Sequence, residues 1–121
     1  MPFDAKSVAS IIMEARSHEA ELPWIEFKTN WDNPQDIGEY ISALSNMAAL
    51  FNQPHGFLIW GIDDKTHEIV GTTFDPQKAK RGGQDLGLWI ATQLEPQVQF
   101  YFYKTIIDEK PLVLLEIAAA Y

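Results

Sequence analysis

The stretch GFLIWGIDDKTHEIVG, Gly56 to Gly71, decides how this chain folds. Its first half is nearly continuous in apolar residues and bounded by turn-formers, the pattern of a strand buried on both faces. Asp63-Asp64-Lys65 turns the chain, and "HEIVG" reads as a short returning strand.

Working outward, the segment before it predicts the clearest helix in the chain. It starts near Pro34 or Gln35, where proline suits a first turn, and carries an apolar stripe of Ile37, Ile41, Leu44, Ala48 and Phe51, widened by Tyr40 and Met47. Upstream, WIEFKT reads as a strand, with Ile25 and Phe27 pointing one way and Trp24, Glu26 and Lys28 the other. An N-terminal helix is predicted from about Ala5 to His18, with Asp4 as its cap and Val8, Ile11 and Ile12 inside. Downstream, FDPQKAKRGG reads as a loop. A third helix is predicted from Gln84 to Leu94, burying Leu86, Trp89 and Ile90, with Pro96 beyond its end. QVQFYFYKTII and PLVLLEIAAA make a hairpin around Asp108-Glu109-Lys110. The order α-β-α-β-β-α-β-β argues for an α+β fold, with helices packed on one mixed sheet.

At 121 residues the chain is sized for one domain, and an apolar share of 46% with four tryptophans fits a packed core. There is no cysteine, hence no disulfide framework, thiolate zinc site or thiol nucleophile. No apolar run approaches the ~20 residues that span a bilayer. The N-terminus lacks the layout of a signal peptide. A cytoplasmic location is the expectation. The C-terminal PLVLLEIAAAY ends in a strand without a polar tail, so the domain over residues 1–121 is expected to be the N-terminal piece of a longer protein.

The net charge of −8, nine cations against seventeen acids, sets an obstacle for one function class. Affinity for duplexes comes largely from Lys and Arg neutralising phosphates, which this composition supplies poorly. The candidate basic group is Lys78, Lys80 and Arg81, just before Gly82-Gly83 and the predicted third helix, where backbone N–H groups favour an anion. No Walker-type glycine loop is present. His18, His55 and His67 have no zinc spacing, His55 reading as a loop residue. No serine sits in a nucleophile elbow. Tyr101 and Tyr103, on one side of the FYFY run, offer either a stacking surface for bases or packing under a helix.

Three segments together resemble the Schlafen AlbA-type (AlbA_2) family of DNA-binding domains, whose fold is Alba-like. ELPWIEFK matches its Glu, four residues, Glu-Phe-Lys; ISALSNMAALFN matches its helix; GFLIWGIDDKTHEIVG matches its glycine-led strand, Gly-Val-Asp-Asp and Ile-Val-Gly. The match covers Glu21 to Gly71, and the order of elements extends it to the end of the chain. One departure is NQPHGF, where Pro54 and His55 replace part of a loop that ordinarily offers backbone N–H groups before paired glycines. The resemblance implies an N-terminal module of bacterial regulator-like proteins, some named ATP-binding, with further C-terminal domains.

In the animal Schlafens a related domain pair cleaves nucleic acid with three carboxylates. By motif these fall here on Glu21, Glu26 and an aspartate of Asp63-Asp64, with Asp63 the expected one. Such oxygens suit Mg²⁺ or Mn²⁺, and Lys28, two residues from Glu26 on the same strand face, would neutralise developing charge. The bland counterpart is a surface Glu26–Lys28 pair beside ordinary turn residues. Three functions follow: a nucleic-acid (DNA or RNA) binding module of a transcriptional-regulator type; a metal-dependent nuclease of the endoribonuclease type; and a homodimerising scaffold using a β-edge. The first is the leading expectation, and the enzymatic reading stands second to it for the isolated domain.

Overall fold

A computed structural model describes residues 5–18, 21–30, 33–78, 80–81, 84–85, 90 and 98–120. In chain order these form α1 (Ala5–Arg16), β1 (Ile25–Lys28), α2 (Pro34–Leu50), β2 (His55–Trp60), β3 (Lys80–Arg81), β4 (Gln84–Asp85), β5 (Phe100–Ile107) and β6 (Lys110–Ala118). The fold is α+β: a four-stranded mixed sheet ordered β1-β2-β6-β5, with β3 and β4 as a separate pair. β1 runs parallel to β2, and the β2–β6 and β6–β5 pairs are antiparallel.

The two helices cover opposite faces of the sheet, which is why β2 is apolar on both sides. Ile37, Ile41 and Leu44 of α2 pack on Leu58, Trp60, Val113, Leu115 and Ile117. Val8, Ile12 and Ala15 of α1 pack on Ile25, Phe27, Ile59, Leu112 and Leu114. Strand alternation assigns the faces: Leu58 and Trp60 point to α2 while Ile59 points to α1. Trp60 is fully buried against Phe74, ring centroids 4.6 Å apart.

Local chemistry sets the ends of α2. Pro34 opens it, the Asp36 amide donates to Asn33 Oδ1 at 3.4 Å, and the Ile37 amide donates to the Asn33 carbonyl at 3.0 Å. It closes in a Schellman arrangement: Asn52 takes φ 57°, Gln53 N donates to Ala48 O at 2.8 Å, and Asn52 N donates to Ala49 O at 3.2 Å. Gly56 then passes so close to α2 that an added Cβ would lie 2.7 Å from the Leu44 carbonyl oxygen. No larger residue fits there without moving the helix or the strand.

The β5–β6 hairpin turns through Asp108 (φ 52°) and Glu109 (φ 64°), with Ile107 opposite Lys110. Two successive positive φ values are the hairpin turn whose twist matches the strands. HEIVG forms a single antiparallel bridge, Ile62 to Ile69, in place of an extended returning strand. The expected loop over FDPQKAKRGG contains β3, and the expected helix start at Gln84 is instead β4, with Lys80 opposite Asp85 and Arg81 opposite Gln84. Of the rest of the expected third helix only Ile90 lies among the described residues; it is helical and fully buried against the α2-side core. Leu86 and Trp89 lie outside them. Among the described residues no helix is long and apolar enough to cross a membrane.

Candidate functional site

The parallel β1–β2 pairing brings the sequence-predicted acids to one end of the sheet. Gly61 N donates to Lys28 O at 2.7 Å, and Gly61, at φ 107°, bends the chain off β2 into the Asp63-Asp64 turn. Glu26 and Lys28 lie on the α2 face of β1, as the alternation predicts, with Nζ 3.6 Å from Oε1. They are not an exposed edge pair: their side chains are about three-quarters buried, at 24% and 25% exposure. The Lys28 ammonium also sits 5.1 Å from the centre of the Tyr40 ring of α2, a residue the sequence reading placed only in a packing stripe. Burial pulls the Lys28 amine down, but Tyr40 and Glu26 outweigh it, and its pKa ends above the usual value.

Glu21 approaches the same group from the segment before β1. Its Oε1 accepts a hydrogen bond from the Phe27 amide at 3.1 Å. Burial and a hydrogen bond with Glu26, reinforced by the negative charges of Glu26 and Asp64, push the Glu21 carboxyl up to about 7 against the partial relief of the Phe27 amide. Two carboxyls in contact cannot both ionise freely, so the pair retains a proton near neutrality.

The aspartates separate. Asp63 Oδ1 accepts from the amides of Lys65 and Thr66, each at 2.8 Å, and these bonds hold its carboxyl below the usual range. It closes its own turn. Asp64 is the aspartate that lines a small cleft of about 160 Å³ with Phe27, Lys28 and Thr29. A second groove of about 390 Å³ runs along α2 past Lys28, Asp36, Glu39 and Tyr40.

Glu21, Glu26 and Lys28 therefore come together, with Asp64 beside them and Asp63 committed to its turn. Among the described residues no three His, Asp or Glu side chains are grouped to hold a metal ion. As placed among the described residues, these side chains do not supply the three ligands expected for the divalent ion that the resemblance implies.

The phosphate candidates also change context. The backbone places Lys80 and Arg81 on β3, so the rationale from a helix N-terminus at Gln84 falls away. Lys78 is exposed in the turn before them, its amide donating to Asp75 O at 3.1 Å. In the α2–β2 loop, the amides of Phe51, Asn52 and Gln53 are spent on helix carbonyls and Pro54 has none. That loop has no free run of N–H groups with which to cradle a phosphate.

His55 begins β2 instead of lying in the loop. Its Nε2 lies 2.7 Å from Glu116 Oε1, while Tyr103 Oη donates to Glu116 Oε2 at 3.0 Å. No local pattern announces this cluster, because Glu116 falls in a run of apolar strand residues. His67 has a structural place: it is buried, its Nδ1 lies 2.9 Å from the His18 carbonyl oxygen, and its ring meets Phe27 edge-on.

No curated protein matches the sequence. Among solved structures, the chain is similar to the solution NMR structure of the N-terminal domain of an ATP-dependent DNA helicase RecG-related protein from Nitrosomonas europaea. The TM-score is 0.60 at 20% identity, covering 93% of this chain and 72% of that one, a likeness of fold. Residues 21–121 match the family described as Schlafen, AlbA_2. The match takes in β1 with Glu26, α2 and β2, and the chain belongs to the Schlafen AlbA_2 family.

Proposed function

We propose that this domain binds nucleic acid as a module of a larger bacterial, cytoplasmic regulator-like protein. The observation that carries the reading is the family match over residues 21–121. The name of the RecG-related protein, which refers to a DNA helicase, points the same way. The charge balance defines what kind of binding is expected. With nine cations against seventeen acids, and Lys28 engaged by Glu26 and Tyr40, phosphate contact falls to Lys78, Lys80 and Arg81. Three such contacts give a slope of log K against log salt of about −3 or shallower.

Fluorescence anisotropy with labelled DNA and RNA oligonucleotides across a salt series tests this. The reading expects measurable binding at low salt, a shallow slope, and uniform weakening in the Lys78→Ala/Lys80→Ala/Arg81→Ala variant. Absence of binding to every oligonucleotide at low salt overturns it. A homodimer belongs to the same proposal: β5 is an edge of the sheet, and a sizing column reads the outcome.

A further inference from the structure

Glu116 lies in the middle of β6, where the residues on either side of it, Leu115 and Ile117, are fully buried. Its side chain is only 8% exposed, yet both oxygens are occupied by side chains that lean toward solvent from the neighbouring strands. Burying a carboxylate costs several kcal/mol before its partners repay it, and an apolar residue of similar volume is often at least as stabilising. The fold alone gives no reason to keep an acid there. What the acid does is orient His55 and Tyr103.

The register shows the surface this makes. Tyr101 lies directly across from Glu116 on β5, and Phe57 directly across on β2. His55 is two residues from Phe57, on the same side of the sheet. Tyr101 is 52% exposed and the His55 side chain 36% exposed. Among the described residues α1 packs on Leu112 and Leu114, toward the other end of β6, and leaves the His55–Tyr101 end of this face the more exposed. With Nε2 directed at the buried carboxylate, the imidazole turns its other nitrogen, Nδ1, away from Glu116. A flat aromatic ring and a fixed polar ring thus stand on one face of the sheet, on the two strands that flank β6, and form a platform across it.

We propose that this platform, Tyr101 with His55 held by Glu116, seats an unpaired nucleobase, so that the domain takes single strands in preference to duplex. The inference rests on the nucleic-acid reading above and deepens it. Stacking on an aromatic face is indifferent to the protein's net charge and needs a base that is not already stacked and paired. A single strand carries half the phosphates of a duplex of the same length, so a chain of net charge −8 meets less repulsion from it. His55 Nδ1 serves as the polar contact to the base edge or to the sugar, in DNA and RNA alike.

The experiment is anisotropy at low salt with a short single-stranded DNA, the RNA of the same sequence, and the matching duplex. Single strands are expected to bind more tightly than the duplex. Tyr101→Ala is expected to weaken single-strand binding about tenfold, while Tyr101→Phe retains it. His55→Gln, which leaves a donor for Glu116, is expected to weaken it with circular dichroism unchanged. Duplex binding as tight as single-strand binding, or a Tyr101→Ala variant that binds normally, overturns the inference while leaving nucleic-acid binding intact. Failure of every oligonucleotide to bind removes the broader reading, and this one with it.

Discussion

The carboxyl of Glu21 is hydrogen-bonded to that of Glu26, and burial together with this contact raises Glu21 to about 7. The folded protein thus holds a proton that an unfolded chain releases near 4.5. The contribution to stability is present in full below the unfolded value and is lost as pH rises through about 7. Glu21→Gln stays neutral and keeps an oxygen for the Phe27 amide. Urea unfolding should find the variant equal to its parent at low pH and more stable at pH above the raised value, by under about 1 kcal/mol given the solvent screening. Equal stabilities at both ends of the range would contradict the shared proton.

The two aspartates of the turn should respond differently to substitution. Asp63→Ala removes the acceptor of two amides and should lower the melting temperature, whereas Asp63→Asn, which keeps a side-chain oxygen, should lower it less. Asp64→Asn removes a negative charge beside Glu21 and should lower the Glu21 pKa without harming the turn. A carboxyl-detected NMR titration separates the two effects.

Titration with Mn²⁺ follows from the same geometry. With Asp63 committed to its turn and no group of three metal-binding side chains among the described residues, isothermal calorimetry should find no site tighter than about millimolar. Micromolar binding that disappears in Glu26→Ala would restore the carboxylate cluster as a metal centre.

Gly56→Ala should be destabilising by about 2 kcal/mol, because its methyl group meets the Leu44 carbonyl oxygen, part of a helix backbone that cannot step aside cheaply. Chemical denaturation measures it, and a neutral result would mean that α2 and β2 are not so closely apposed.

In the buried cluster, Glu116→Ala strands His55 and Tyr103 and should cost about 3 kcal/mol. Tyr103→Phe leaves one carboxylate oxygen without its donor and should cost about 1–2 kcal/mol. A double-mutant cycle between positions 103 and 116 should show strong coupling, and additivity would dissolve the cluster as a unit.

What could be seen beforehand followed the strength of the local signal. The α2 stripe, the two-faced apolar run of β2 and the Asp108-Glu109 turn each obey one periodicity or one turn chemistry, and each forms as expected. The alternation in IEFK placed Glu26 and Lys28 on one face correctly, but not their cover by Tyr40, which depends on how α2 crosses the sheet. The choice between Asp63 and Asp64 was not readable from a dipeptide. Asp63 is the one whose carboxylate accepts the amides of Lys65 and Thr66, a turn contact that no sequence pattern announces. Gln84-Asp85 resembled a helix start because Gly82-Gly83 precede an apolar periodicity, yet pairing with Lys80-Arg81 prevails. The His55–Glu116–Tyr103 cluster joins three strands, so no window of sequence contains it.

Strand β1 is four residues long, stands at the margin of the sheet and bonds to β2 alone. Glu26 and Lys28 therefore ride on the strand of the four-stranded sheet with the fewest ladder partners, while Tyr101, His55 and Glu116 belong to its antiparallel β2–β6–β5 part. Peeling β1 away would dismantle the acidic end and spare the aromatic one. Amide exchange should accordingly release Phe27 and Lys28 well before Leu114 and Leu115, giving a single small domain two regions that can be switched off separately.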